Sequence, residues 1–266
     1  MATLNSRTGK VNGPLWGHGA EDWADIQEGT LAPVFDRVLE KASVGQGTKY
    51  LDVGCGSGMA ISKAEAKGAF AAGLDASQAL LDIAGSRSPD AELHLGDLED
   101  LPFDDKRFDV VTSFNSLQYA GNPLAALKEA KRVMCTQGTI AIVTWSPPEM
   151  MEVSSLIGAI KHLLPPAPPD APGPFALSEA KSLRAFASAA GLLTMEIFDI
   201  SAPWIYPDKD TGLRGLGSSG VAARAAANSS IEAVEDAHAS ALAPFRQIDG
   251  SYRIEASLRC LLARLP

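Results

Sequence analysis

The spacing of apolar positions changes several times along the chain. Between residues 15 and 42, Trp16, Trp23, Ile26, Leu31, Val34, Phe35, Val38 and Leu39 recur, the later ones at i, i+3, i+4 and i+7, which predicts one or two amphipathic helices. The texture then switches: Tyr50–Val53 is a short apolar run, followed by glycines that turn the chain into a helix over about 57–67. A strand at Ala69–Leu74, a helix from Ser77, a strand at Glu92–Leu95 and a strand at 108–114 follow. The last, FDVVTSF, is apolar on both faces, as expected of a strand covered by helices on both sides of a parallel sheet. A helix over Pro123–Val133 leads through Gly138 to a fifth strand at 139–145.

This alternation predicts an α/β, doubly wound sheet with right-handed crossovers. Beyond it the pattern loosens. A helix is expected over 150–164, after which six of the ten residues from Pro165 to Pro174 are proline, too many for helix or sheet interior. That segment reads as a stiff connector or as the frame of a lid. Ser178 reads as the N-cap of a helix running to Ala190, with Gly191 at the left-handed C-cap position. A strand at Leu193–Ile200, two short helices in the alanine-rich stretch 211–243 and a closing strand at Ser251–Ala263 complete the pattern. No linker divides the chain, so a single domain is expected over residues 1–266: a helical cap (1–44), a core (45–146), a lid or connector (147–177) and C-terminal helices with closing strands (178–266).

Composition narrows the function. With 46% hydrophobic and 21% charged residues the chain is an ordinary globular protein. Its 23 basic and 32 acidic residues give a net charge of −9, with no segregated basic patch, which argues against nucleic acid as a partner. Residues 1–10 lack the apolar centre of a signal peptide and no stretch approaches a membrane span, so a cytoplasmic location and no membrane partner are expected. Cys55, Cys135 and Cys260 are isolated and His18, His94, His162 and His238 scattered, so neither disulfides nor a metal site is expected. Oligomeric state is not legible.

The informative chemistry lies at three strand ends. In Asp52-Val53-Gly54-Cys55-Gly56-Ser57-Gly58 the glycines let a ligand approach the backbone, and the helix start offers free N–H groups to a polar or anionic group. The dinucleotide fingerprint is broken by Met59, and the G-K-[ST] of a P-loop is absent. Asp75, 17 residues after Gly58, is placed to accept both hydroxyls of a ribose, or else to cap the helix at Ser77. Gly96-Asp97-Leu98 offers a carboxylate to an exocyclic amine, though alone it would pass for a loop aspartate.

Taken together, LDVGCGSG (51–58), GLDAS (73–77), GDLEDLPFDDKRFDVV (96–111) and TQGTIAIVTW (136–145) make residues 45–145 resemble the class I S-adenosylmethionine-dependent methyltransferases, of the small-molecule type similar to the ubiquinone and menaquinone biosynthesis enzymes. The resemblance implies a Rossmann-like sheet of seven strands with the last antiparallel, plus helical cap and lid insertions. It implies S-adenosylmethionine as cofactor and transfer of its methyl to a small-molecule acceptor. An alternative is an S-adenosylmethionine-binding enzyme that steers a rearrangement or cyclisation without methylating; a nicotinamide oxidoreductase and a non-catalytic protein on the same fold are further classes. Residue by residue, it implies that Asp52, Gly54, Gly56 and Gly58 surround the methionine and sugar, with Cys55 there as a packing residue. It places Asp75 on the ribose, Ala76 and Leu80 beside the adenine, Gly96, Asp97 and Leu98 at the base, and Asn115 at the sulfonium. Trp16, His18 and Trp23 fall in a segment that covers the cofactor in the resembling enzymes, so Trp23 is a cofactor candidate and Trp16 and His18 face the acceptor; the tryptophans could equally be packing residues. His18, with the near-neutral pKa suited to a general base, and Tyr119 are the catalytic candidates, with Gln118 beside them in the substrate group. His18 could also be a solvent-exposed loop residue, and His94, inside a strand, reads as structural. GLRGLGSSG at 212–220 lacks the preceding strand of a phosphate loop and reads as a helix start, from which Arg214 or Arg224 could meet an anion.

Overall fold

The computed structural model describes residues 7–166 and 173–266. Positions 1–6 and the proline-rich residues 167–172 lie outside the described residues. The N-terminal cap comprises α1 (Gly9–Gly17), α2 (Ala20–Asp22), a π-helical turn (Trp23–Gln27), a 3-10 turn (Glu28–Leu31) and α3 (Ala32–Lys41). There follow β1 (Lys49–Val53), α4 (Met59–Ala66), β2 (Phe70–Asp75), α5 (Gln78–Arg87), β3 (Glu92–Leu95), β4 (Phe108–Phe114), α6 (Pro123–Val133) and β5 (Met134–Trp145). The C-terminal part is α7 (Val153–Ala159), α8 (Ala180–Ala189), β6 (Leu193–Ser201), β7 (Trp204–Tyr206), α9 (Lys209–Gly217), α10 (Gly220–Asn228), α11 (Ile231–Leu242), β8 (Tyr252–Ile254) and β9 (Ser257–Arg264).

Seven strands form one sheet in the order β3-β2-β1-β4-β5-β9-β6, parallel from β3 to β5, with β9 antiparallel to both its neighbours. The two-sided apolar pattern has its expected cause, since helices cover both faces. Along β5, Ala141, Val143 and Trp145 enter a core shared with α3 and β7, while Ile140 and Ile142 enter the core on the opposite face with α6 and α8. The strand order reverses direction at β1 and β4, so their C-terminal ends border the crevice where ligands bind in open α/β sheets.

Several sequence expectations are corrected. β5 starts at Met134, five residues early: Phe108 pairs with Met134 and then Val110 with Thr139, so Gly138 sits in an irregularity inside the strand, where a Cβ would meet Met134 Cγ at 2.5 Å. The helix over 150–164 is broken into 3-10 turns flanking α7, and Ser154 Oγ donates to the Pro148 and Met151 carbonyls before it. Glu179 rather than Ser178 occupies the cap of α8; Ser178 is buried, its carbonyl taken by Arg259. Gly191 does have the left-handed φ of +73°. The stretch 211–243 holds three helices rather than two, each with its own side-chain N-cap, Asp208, Ser219 and Ser230. The glycines of 212–220 lie within α9 and at the start of α10. The closing strand splits at Glu255 and Ala256, because β8 pairs with β7 in a separate two-stranded sheet while β9 inserts between β5 and β6.

Candidate functional site

Gly54, Gly56 and Gly58 all have positive φ, +80°, +55° and +83°, so the chain leaves β1 in a tight turn and enters α4 at Gly58. A Cβ at Gly54 would stand 2.4 Å from Ser116 Cβ, and Ser116 Oγ donates to the Val53 carbonyl, so the turns after β1 and β4 interlock at this point. Asp52 is fully buried beneath the turn. Tyr50 and Thr112 hydroxyls are 2.7 Å apart, and Thr112 Oγ1 donates to Asp52 Oδ1 at 2.8 Å. Burial pushes the Asp52 carboxyl well above the usual range; the Thr112 bond opposes this and the charges of Glu28 and Asp75 add to it. Cys55 is buried with its thiol pushed up by desolvation, which fits packing and not nucleophilic chemistry.

At the end of β2, Asp75 caps no helix. Its Oδ2 accepts from Gly56 N–H and its Oδ1 from Ser77 N–H, both at 2.9 Å, while Ser77 Oγ itself caps α5 by accepting from Leu80 N–H. Asp75 thus stitches the glycine turn to the β2–α5 turn, with further lone pairs free. Burial raises its pKa against the pull of these N–H groups. Leu80 is 2% exposed and Ala76 half-buried. After β3, Gly96 presses on Leu74, Leu98 packs against the core and Asp97 Oδ1 accepts from Glu99 N–H.

The cap closes over these strand ends. α1 carries glycine at every fourth position: Gly9 N–H donates to Asp97 Oδ2 at 2.8 Å, a Cβ at Gly13 would fall 2.1 Å from the Ala76 carbonyl oxygen, and one at Gly17 2.9 Å from Ser77 Oγ. Thr8 Oγ1 and Asn12 Nδ2 both donate to the Tyr119 carbonyl, at 2.8 and 2.9 Å. Trp16 meets Trp23 and Tyr119 edge-on, at centroid distances of 5.1 and 5.5 Å. In the π-helical turn the Glu28 N–H donates to the Trp23 carbonyl, the i to i+5 bond that brings both side chains over the glycine turn. Trp23 Nε1 is buried with no hydrogen-bond partner and lies 3.5 Å from where a Gly56 Cβ would stand; Glu28 Oε1 lies 3.7 Å from the same point. Glu28, 3% exposed, accepts from Ser57 Oγ at 2.6 Å and from Met59 N–H at 3.3 Å, and pairs with Arg87, which also donates to the Ser57 and Ala24 carbonyls. The helix start expected to offer free N–H groups to an anion is therefore already occupied by a carboxylate.

Asn115 adopts a left-handed φ of +54° after β4 and accepts from Gln118 Nε2. The Asn115–Gln118 pair thus adjoins along the chain Tyr119, which meets Trp16 and through it Trp23. His18 does not join them. It is exposed on the rim of a cleft of about 410 Å³ formed with α1, Ala76–Ala79 and Leu95. Desolvation pushes the Tyr119 phenol up to about 12, so it keeps its proton at neutral pH and is a donor rather than a base. His94 pairs with Glu92 and packs edge-on to Phe103, as a structural residue does. Arg214 is tied to Asp22 of the cap, and Arg224 is exposed on α10. Sequence reasoning missed Glu28, Arg87, Thr8 and Asn12; only the G-x3-G-x3-G spacing of Gly9, Gly13 and Gly17 could have signalled the close seat of α1. Among the described residues no cluster of His, Cys, Asp and Glu is arranged to hold a metal, and no helix is long and apolar enough to cross a membrane.

Residues 51–142 match the family model described as a methyltransferase domain. The chain is similar to the malonyl-[acyl-carrier protein] O-methyltransferase of Erwinia pyrifoliae, 30% identical over 182 residues, 68% of this chain and 65% of that protein. It is 36% identical over 120 residues to the demethylmenaquinone methyltransferase of Staphylococcus aureus, covering 43% of this chain and 50% of the relative. These matches span between half and two thirds of the relatives' lengths. Among solved structures, a Bacillus halodurans protein provisionally named a methyltransferase superposes with a TM-score of 0.58 at 17% identity, covering 87% of this chain and 98% of that one. The [4+2]-cyclase SpnF superposes at 0.57 with 21% identity, covering 88% and 80%. At these identities the two structures bear on the fold alone.

Proposed function

We propose, from a chain that carries a methyltransferase domain at residues 51–142 and resembles the class I S-adenosylmethionine-dependent methyltransferases, that it transfers the methyl of S-adenosylmethionine to a small-molecule acceptor by in-line displacement. The observation that carries this reading is the charge around the glycine turn. The carboxyl groups of Asp52, Asp75 and Glu28 gather there, and Arg87, the cation that touches Glu28, is already paired with it. Such a site favours a cationic ligand and repels a pyrophosphate. The orphaned Trp23 N–H above Gly56 adds a donor suited to a ligand carboxylate, so the residues present fit a cofactor that bears sulfonium, ammonium and carboxylate groups. When bound, S-adenosylmethionine supplies a methyl group already activated on sulfur.

In this reading Asp52, Gly54, Cys55, Gly56, Gly58 and Trp23 surround the methionine part. Asp75 holds the ribose through its unused lone pairs, Ala76, Leu80, Gly96, Asp97 and Leu98 frame the adenine, and Asn115 stands at the sulfonium end. The task left to the chain is alignment and exclusion of water. Trp16, Trp23 and Tyr119 wall the acceptor side and exclude water, while the Asn115–Gln118 pair offers polar groups to orient an acceptor. No step is assigned to His18, which is exposed and lines a cleft with Ala76–Ala79 and Leu95, apart from Asn115, Gln118 and Tyr119.

Thermal melting with S-adenosylmethionine, S-adenosylhomocysteine and NAD tests the reading. The two sulfur nucleotides should raise Tm, NAD should not, and Asp75→Ala should abolish the gain. A protein that melts unchanged with both sulfur nucleotides would sink the proposal. Incubation with acceptor candidates should then give a product heavier by one CH2; an isomerised product of unchanged mass would assign the chain instead to the cyclase-type chemistry named for its structural neighbour.

A further inference from the structure

We propose that Glu28 is the residue that sets the charge specificity of the glycine turn: it occupies the start of α4 in place of a ligand anion and keeps phosphate-bearing nucleotides out. The charge preference rests on the cofactor reading above, but the exclusion of anions rests on geometry alone. A glycine-rich turn between a strand and a helix is ordinarily an anion site, because its N–H groups are unpaired and the helix dipole adds positive potential. Here the chain fills that site from a distant segment. Glu28 spans about 30 positions of sequence to accept from Ser57 Oγ and Met59 N–H, and Arg87 closes the other side by pairing with Glu28 and donating to the Ser57 carbonyl.

The π-helical turn makes the placement useful. Its i to i+5 hydrogen bond sets Trp23 Nε1 and Glu28 Oε1 above the same glycine, one an unpartnered donor and the other a carboxylate oxygen. With Glu28 in place, its carboxylate oxygen stands over Gly56, whose N–H is already held by Asp75. If Glu28 is neutralised, Asp75 stays on the Gly56 N–H, but at the start of α4 the guanidinium of Arg87 loses its paired carboxylate and the N–H of Met59 its anionic acceptor. The same turn would then attract phosphate. Discrimination of this kind comes from repelling the wrong ligand as much as from attracting the right one.

The test titrates the whole protein with S-adenosylmethionine, ADP and inorganic phosphate, following Tm and calorimetric binding. In the wild-type protein ADP and phosphate should leave Tm unmoved; ADP binding as tight as that of S-adenosylmethionine would overturn the proposal without any variant. E28Q should weaken S-adenosylmethionine and strengthen ADP, each by about ten-fold, the size expected of one partly screened charge. E28D, which keeps the charge but shortens the reach, should still exclude ADP. E28Q/R87M, which removes both charges, should lose the ADP gain. A purely structural role would weaken all ligands together in E28Q and E28D alike, and that pattern overturns the inference. A wild-type protein that binds no S-adenosylmethionine, while E28Q gains ADP, would instead remove the cofactor reading and leave the role of Glu28 standing.

Discussion

Single atoms decide whether the glycine turn forms. Gly54 combines a φ of +80° with a Cβ position 2.4 Å from Ser116, so Gly54→Ala incurs both left-handed strain and a clash that backbone on both sides resists. We expect a loss of about 3 kcal/mol, measured by urea unfolding, and no cofactor-dependent rise in Tm. An Ala variant as stable as the parent would mean that the turns after β1 and β4 do not interlock as described. Burial raises the carboxyls of Asp52 and Asp75, so between the ordinary aspartate pKa and the raised values the folded protein holds more protons than the unfolded chain. Stability of the ligand-free protein from these groups is therefore full below that window and falls as pH rises through it. A cationic cofactor offsets the charge that builds up, so the Tm gain with S-adenosylmethionine should grow with pH across the same window. A gain that shrinks with rising pH would contradict the placement of these carboxylates beside the cofactor.

Among elements, α1 has the most specific seat. It is short and contains Pro14, so its position comes from contacts rather than from helix propensity. Those contacts are the Gly9–Asp97 bond, the close approach of Gly13 to Ala76 and the two bonds to the Tyr119 carbonyl. Gly13→Val should lift α1 from the β2–α5 turn and barely touch the sheet. Hydrogen exchange should then speed up in residues 9–17 and cofactor dissociation should quicken, while global unfolding stays within about 1 kcal/mol of wild type, because a surface element of this kind opens below the global free energy. Unchanged exchange in α1 would show that the glycine seat does not hold it. α5 offers a simpler case: Ser77→Ala removes its N-cap and should cost about 1 kcal/mol in urea unfolding.

At the scale of the whole molecule, β9 is the keystone of the C-terminal half, because it completes the sheet between β5 and β6 from the far end of the chain. Cys260 on β9 and Cys55 under the glycine turn are buried, whereas Cys135 at the start of β5 is half-exposed. A thiol reagent should label Cys135 in the native protein and the other two only on unfolding, read by mass spectrometry of peptides. Labelling of Cys260 at the native rate of Cys135 would mean that β9 opens independently of the sheet. By itself, the sequence determined the alternation of strand and helix, the two-sided burial of β4 and the three strand ends that carry Gly54–Gly58, Asp75 and Asp97, because each of these is written in local periodicity and turn chemistry. It did not determine the break between β8 and β9, since a run of alternating residues does not say which of two sheets it will join. Nor did it show Glu28 at the start of α4, Arg87 beneath it, or the seat of α1 on Ala76. Those contacts join positions tens of residues apart, and only the closing of the cap onto the sheet supplies the burial and charge pairing that give them meaning.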